Sequence, residues 1–222
     1  MSRYAISDIH GCAKTFKYMV EEVLHLRNRD SLFLLGDYID RGPDSKGVLD
    51  YILKLIRNGY KVYALSGNHE YMMLRARENL AYNTFWLTNG GKETLESFRV
   101  ETIESIKSVY WDLLEQLELY MVLDDYLLVH AGFNFAISNP ERDKHTLLWA
   151  REFEVDKQKL GNRRIIHGHT PLPLEQIKYS LRKPVSNVLN IDAGCVFKSQ
   201  LGYLVALNLD TLELHSVPSM DS

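Results

Sequence analysis

The run Leu32-Phe33-Leu34-Leu35-Gly36-Asp37-Tyr38-Ile39-Asp40-Arg41-Gly42 decides how this chain folds. Four consecutive apolar residues are short for a helix but enough for a buried strand, and they stop at a glycine followed by a carboxylate. The same order recurs on both sides: Tyr4 to Ser7 precedes Asp8, and Val62 to Leu65 precedes Ser66-Gly67-Asn68-His69. The intervals are 29 residues from Asp8 to Asp37 and 31 from Asp37 to Asn68, the length of a βαβ unit. Helical stripes fill them, first Phe16, Val20 and Val23, then Val48, Ile52, Leu55 and Ile56, with Gly59 just past the second helix. Three buried, parallel, neighbouring strands are therefore expected.

Outside this segment the pattern continues. Tyr126 to Val129 leads to His130, Arg164 to Ile166 to His167-Gly168-His169, and Val188 to Ile191 to Asp192. Glu70 to Leu119 reads as mostly helical, broken at Asn89-Gly90-Gly91, while Tyr203, Val205, Leu207 and Leu209 alternate at period two. The fold class is α/β, a sandwich of mixed sheets flanked by helices and built from βαβ units rather than a Rossmann fold. Residues 1–222 are expected to form one domain, since no proline-rich or low-complexity linker interrupts them.

Composition narrows the function. With 26 Lys and Arg against 29 Asp and Glu, the net charge is −3, and no basic stripe exists to neutralise a nucleic-acid backbone, so bulk nucleic-acid binding is disfavoured. The two cysteines, Cys12 and Cys195, have no metal-binding or disulfide spacing; they read as small buried hydrophobes in a reducing compartment. The chain meets Asp8 early and offers no apolar run of about 18 residues, so no membrane partner is expected and a cytoplasmic location is.

Ligands of open α/β sheets bind outside the carboxyl ends of the strands, where each of these polar residues falls. Asp8 and His10 are two apart and would face one side if the chain stays extended. Asp37 arrives from the next strand, and a carboxylate there can bridge two cations, with Asn68, His130 and His169 as further ligands. Without thiolates the set suits two hard or borderline divalent ions, Mn2+ first, with Fe or Zn as alternatives.

The motifs Asp8-Ile9-His10-Gly11, Gly36 to Gly42, Gly67-Asn68-His69-Glu70, His130-Ala131-Gly132 and Gly168-His169-Thr170 resemble those of the phosphoprotein phosphatase family of metallophosphoesterases. The likeness runs from residue 8 to about 194, and the short chain is similar to compact bacterial and phage-type members. It implies a metallophosphoesterase-type sandwich. It implies that Asp8, His10 and Asp37 hold one cation and that Asp37, Asn68, His130 and His169 hold the other. A hydroxide between the cations would attack phosphorus directly, with His69 as general acid, Asp40 orienting it, and Arg41, Asn68 and Arg151 binding the phosphate. His167 is then expected behind a ligand or at the rim. Asp192 is expected to hydrogen-bond a histidine, or else simply to form a turn.

The resulting expectation is a metal-dependent phosphomonoesterase of the protein Ser/Thr phosphatase type, acting on a phosphorylated protein or a small phosphate ester. The alternative is a symmetrical diadenosine tetraphosphatase, which shares the catalytic core and the segment Trp86 to Phe98 with its Asn89-Gly90-Gly91. A noncatalytic interaction protein on the same scaffold is the third reading, opposed by the presence of every ligand position together with Asp40, Arg41 and His69. Tyr71, Tyr82, Phe85 and Trp86, at near-helical spacing, are expected in a core or along a cleft wall.

Overall fold

The structure is a computed structural model that describes residues 1–182, 187–199 and 201–221. Strands β1 (Arg3–Ile6), β2 (Ser31–Leu34) and β3 (Lys61–Ala64) pair in parallel, as the two βαβ intervals require. The crossovers are α1 (Ala13–Tyr18), extended by a π-helical turn, and α2 (Ser45–Arg57). Asp44 caps α2 by accepting from Gly47 N at 2.8 Å, and Gly59 closes it at φ +78°.

The polypeptide then leaves the sheet through α3 (Asn68–Ala76), α4 (Leu80–Trp86), α5 (Lys92–Phe98) and α6 (Ser108–Glu115). A second sheet has the order β4-β5-β6-β7: β4 (Tyr120–Val122), β5 (Tyr126–Val129), β6 (Arg164–His167) and β7 (Val188–Asn190). Within it β5, β6 and β7 are parallel and β4 is antiparallel. Short helices α7 (Lys144–Trp149), α8 (Lys157–Leu160) and α9 (Leu174–Leu181) connect these strands. Finally β8 (Tyr203–Asn208) and β9 (Leu214–Pro218) return antiparallel to the first sheet, giving β3-β2-β1-β8-β9.

Alternation along the central strands fills three layers. Phe33 and Leu35 join Ala5, Val205, Leu207, Leu128, Ile166 and Leu189 in the apolar cluster between the sheets. Leu32 and Leu34, with Ile6 and Leu204, pack instead on Phe16, Val48 and Ile52 of the covering helices. Val129 and Ile165 pack outward on Phe133, Leu147 and Leu160. Each fully buried Leu, Ile or Phe contributes roughly 1.5–3 kcal/mol. A one-residue slip of β2 would exchange Leu34 for Phe33 between two filled layers, so packing fixes the register.

Three sequence expectations change. β3 is an edge strand with Lys61 and Tyr63 exposed, although Val62 to Leu65 reads as a buried run; Tyr63 stacks on its cross-strand partner Phe33 at 5.1 Å. Ile56 lies in the last turn of α2 and is 44% exposed, leaving Val48, Ile52 and Leu55 as the buried stripe. The period-two pattern of β8 suggests one apolar face, yet Leu204 and Ala206 are buried as well, because the strand lies between β1 and β9 and is covered on both sides. Among the described residues no helix is long and apolar enough to cross a membrane.

Candidate metal centre

The loops after β1, β2, β3, β5 and β6 meet at one rim of the sandwich. Two side-chain groups there can each hold a cation: His10, Asp37 and His69, and Asp37, His130 and His169, with donor atoms within 4.8 Å of one another in each. Asp37 belongs to both.

Backbone geometry brings them together. Asp8, His10, Asp37, Asp40, Arg41 and His169 all have positive φ, between +44° and +70°. Only three other non-glycine residues among those described do so, hence backbone strain is concentrated at this rim. This corrects the expectation of an extended Asp8 to His10 segment. The chain turns at both residues, and the turns are zipped to the next loop by His10 N donating to Asp37 O (2.9 Å) and Gly11 N to Tyr38 O (2.8 Å).

Hydrogen bonds fix the imidazole tautomers. A carbonyl only accepts, so His10 Nδ1, 2.9 Å from Ile39 O, and His130 Nδ1, 2.9 Å from Leu35 O, carry their protons and leave Nε2 as a lone pair. His130 Nε2 then faces Asn68 Oδ1 at 3.0 Å, His169 Nδ1 at 3.1 Å and Asp37 Oδ1 at 3.5 Å. His10 Nε2 faces Asp37 Oδ2 at 3.4 Å and Arg41 Nη1 at 2.6 Å. At His10 Nε2 the Arg41 guanidinium is a donor, but the atoms around His130 Nε2 and Asp37 are a convergence of acceptors of the kind a cation satisfies, and the buried Nε2 atoms of His69 and His169 have no protein partner. The donor set of imidazole, carboxylate and amide oxygen fits divalent ions.

Asp8 stands slightly apart. Its carboxylate accepts from Ser7 Oγ, and from His169 N at 3.1 Å on Oδ1 and 3.0 Å on Oδ2, and it joins neither donor group. Electrostatics follow from burial. Burial, then the negative charges of Asp8 and Glu70, pushes Asp37 well above the usual carboxylate range; burial likewise raises Asp8 against the pull of His130. Burial, with Arg41 nearby, holds His10 well below the ordinary imidazole value. Burial, then His10 and Arg41, does the same to His69. Burial lowers His130, and His169 falls to about 3 through burial, His130 and Arg151. His10, His130 and His169 are therefore held neutral at pH 7, the form that offers a lone pair to a cation.

Beside the donors lies a dyad. His69 Nδ1 is 2.7 Å from Asp40 Oδ2, both fully buried, and His69 Nε2 points into the cluster, 3.9 Å from Asp37 Oδ2. Arg41 reaches the same space, whereas Arg151, just past α7, lies exposed near His169, against which Trp149 packs edge-on at 6.5 Å.

Other expectations resolve plainly. His167 is buried behind the cluster, its ring against Phe153 at 5.5 Å and its Nδ1 donating to Gly168 O at 3.1 Å; burial lowers it to about 4. Asp192 accepts from Gly194 N at 2.8 Å and so forms a turn, and among the described residues it has no hydrogen bond to a histidine. Cys12 and Cys195 are both buried in the core, as read from the sequence. Sequence reasoning missed Glu70, whose carboxylate accepts from Asp37 N, Tyr38 N and Gly67 N at 2.8 Å each, joining the β2 loop to α3. A glutamate three residues after Gly67 at a helix start was the available signal.

A sandwich presenting paired imidazole and carboxylate clusters at the carboxyl ends of parallel strands defines a metal-dependent hydrolase. The model of the calcineurin-like phosphoesterase family matches residues 1–197, and the chain belongs to that family. Serine/threonine-protein phosphatase 1 of Salmonella typhimurium is 32% identical over 204 residues, covering 89% of this chain and 88% of its own length. The asymmetrical bis(5'-nucleosyl)-tetraphosphatase PrpE of Anoxybacillus flavithermus is 29% identical over 249 residues, covering 96% and 93%. Among solved structures, a protein serine/threonine phosphatase from Saccharomyces cerevisiae has a TM-score of 0.65 at 16% identity, covering 100% of this chain and 81% of that one. A cold-active protein-tyrosine phosphatase of a Shewanella species has a TM-score of 0.60 at 16% identity, covering 99% and 80%. Both share the fold. The chain is thus a hydrolase of the metallophosphoesterase family, which uses divalent metals and acts on phosphate esters.

Proposed function

We propose that residues 1–222 form one catalytic unit, a cytoplasmic phosphomonoesterase of the protein Ser/Thr phosphatase type that works with two divalent cations, Mn2+ being the first choice. The observation that carries the reading is the double cluster sharing Asp37, with a buried His69 and Asp40 dyad beside it.

In this reading Asp8, His10 and Asp37 hold one cation, and Asp37, Asn68, His130 and His169 the other. Asp8, whose carboxylate accepts from His169 N in this structure, would have to turn toward His10 and Asp37 to join the first set. Bound cations would supply charge neutralisation and an activated water. Arg41 presents a guanidinium fork to the phosphate oxygens from one side, and Arg151 a second cation from the rim, with the Asn68 amide also facing the ester. To act as general acid His69 must carry protons on both nitrogens: Nδ1–H donates to Asp40, and the Nε2 proton passes to the departing oxygen, leaving the ring neutral.

The Salmonella relative's name favours a phosphoserine or phosphothreonine substrate. A second reading, a dinucleoside tetraphosphatase, is favoured by the PrpE relative, whose match covers more of this chain. One experiment separates them: kcat/KM of Mn-loaded protein on a phosphoserine peptide beside diadenosine tetraphosphate. Preference for the peptide is expected. Preference for the dinucleotide would overturn it, and the products would then tell symmetrical cleavage, two ADP, from asymmetrical cleavage, ATP and AMP.

A further inference from the structure

Asp40 is a fully buried carboxylate with four protein contacts. Trp86 Nε1 lies 3.1 Å from its Oδ1 and 3.0 Å from its Oδ2, Thr94 Oγ1 is 2.7 Å from Oδ1, and His69 Nδ1 is 2.7 Å from Oδ2. Trp86 and Thr94 are themselves completely buried. An indole N–H can only donate, so the face of Asp40 toward Trp86 must accept. Thr94 Oγ1 accepts from Asp40 N at 3.0 Å and lies 3.0 Å from Ser45 Oγ; its proton goes to Asp40 Oδ1, the shorter contact at 2.7 Å and the one with a carboxylate, while the Ser45 hydroxyl can donate to Thr94 Oγ1. As a carboxylate Asp40 can only accept, so His69 Nδ1 is then the donor in this contact, and Nε2 is left as the atom facing the cluster.

We propose that Trp86 and Thr94 are positioning residues: they hold Asp40, and through it His69, in the orientation that protonates the leaving group. The proposal rests on the reading of His69 as proton donor.

The turn between α4 and α5 exists in a form that serves this clamp. Gly90 has φ +108° and its carbonyl accepts from Arg41 N at 3.2 Å; a Cβ there would lie 2.6 Å from Arg41 N and 3.1 Å from Asp40 Cβ. A Cβ on Gly91 would lie 2.5 Å from the Trp86 ring. The two glycines therefore let the turn press against Asp40 and Arg41 while Trp86 and Thr94, eight positions apart, reach one carboxylate. Asn89-Gly90-Gly91 does more here than reverse the chain. Burial pushes the Asp40 carboxyl up, and the Thr94 and Trp86 bonds oppose that push.

The test compares two aryl phosphates on the full, Mn-loaded chain: p-nitrophenyl phosphate, whose leaving group departs with little protonation, and phenyl phosphate, whose leaving group needs a proton. Trp86→Phe, which keeps the ring and removes the N–H, and Thr94→Val should each lower kcat on phenyl phosphate by about 10-fold or more, the usual worth of a hydrogen bond to a charged group. On p-nitrophenyl phosphate the loss should stay below about 3-fold, with KM unchanged on both substrates. Neither change should add to the loss in a His69→Asn background, and Thr94→Ser should restore Thr94 function. A second readout needs no turnover: in metal-free protein the His69 Nδ1 proton resonance should be protected from exchange, and Trp86→Phe should expose it. Equal losses on both substrates, additivity with His69→Asn, or an unchanged Nδ1 proton would overturn the proposal. If His69→Asn itself slows both substrates equally, the proton-donor reading falls and takes the clamp with it.

Discussion

Asp37 serves two clusters with one side chain, Oδ2 toward His10 and Oδ1 toward His130. Asp37→Asn should therefore strip both cations rather than one, which elemental analysis after gel filtration would show as near-zero stoichiometry; retention of one full equivalent would refute bridging. His69→Asn should keep the metals and lower kcat by roughly 10²- to 10⁴-fold, the usual worth of general acid catalysis. His167 permits a cleaner electrostatic test because it joins neither donor group. Its folded pKa lies at about 4, below the unfolded value, so between those pH values the unfolded state binds the extra proton. Its contribution is thus a loss of stability as pH falls from about 6.5 toward 4. Urea unfolding of metal-free His167→Gln should show a stability slope in that window shallower by up to about 1.4 kcal/mol per pH unit. At this scale the sequence shows which side chains gather, because each follows a strand-like run. It hides how they gather: positive φ at Asp8, His10 and His169 has no periodicity, and although Asp and His are enriched in that region, few of either adopt it.

Helix α3 begins at the candidate metal centre and carries three consecutive residues in different settings: Asn68 with Oδ1 facing His130 Nε2, His69 in the dyad, and Glu70 as acceptor for the backbone of the neighbouring loop. Glu70→Gln would set an amide N–H against backbone N–H donors at Asp37, Tyr38 or Gly67. A cost of about 2–3 kcal/mol is expected in urea unfolding, together with weaker metal retention. Elements far from the centre were legible where an apolar stripe or a cap wrote them: α2 has Asp44 before it and Gly59 after it. Position in the sheet was less legible. The apolar content of β3 matches a central strand, and only the final strand order makes it an edge. The region Glu70 to Leu119 reads as helical, but that one of its turns reaches back to Asp40 depends on contacts between residues 40 and 86 that no local pattern encodes.

Across the whole molecule, the two parallel strand triplets, β1-β2-β3 and β5-β6-β7, point their carboxyl ends to the same rim, and the antiparallel strands β4, β8 and β9 supply none of the donors. Cations that bind this rim bind the folded state only, because the donors come from loops spread over residues 10 to 169. Chelation should accordingly lower Tm, and readdition of Mn2+ at about 100 times its Kd should restore about 2.7 kcal/mol; a Tm indifferent to metal would contradict the assembled centre. The opposite rim is chemically separate. There Arg3 links β1 to Asp210 at 2.7 Å and to Asp125 at 3.6 Å, and Asp30 accepts from Ser2 N at 2.8 Å. Strands of four residues put the two rims about 13 Å apart, at ~3.3 Å per residue, far enough for substitutions at one end to add independently to those at the other. The protein thus has a working end and a tolerant end: an engineer, or natural drift, can rewrite the charges around Arg3 to suit heat or salt while the catalytic loops keep their shape.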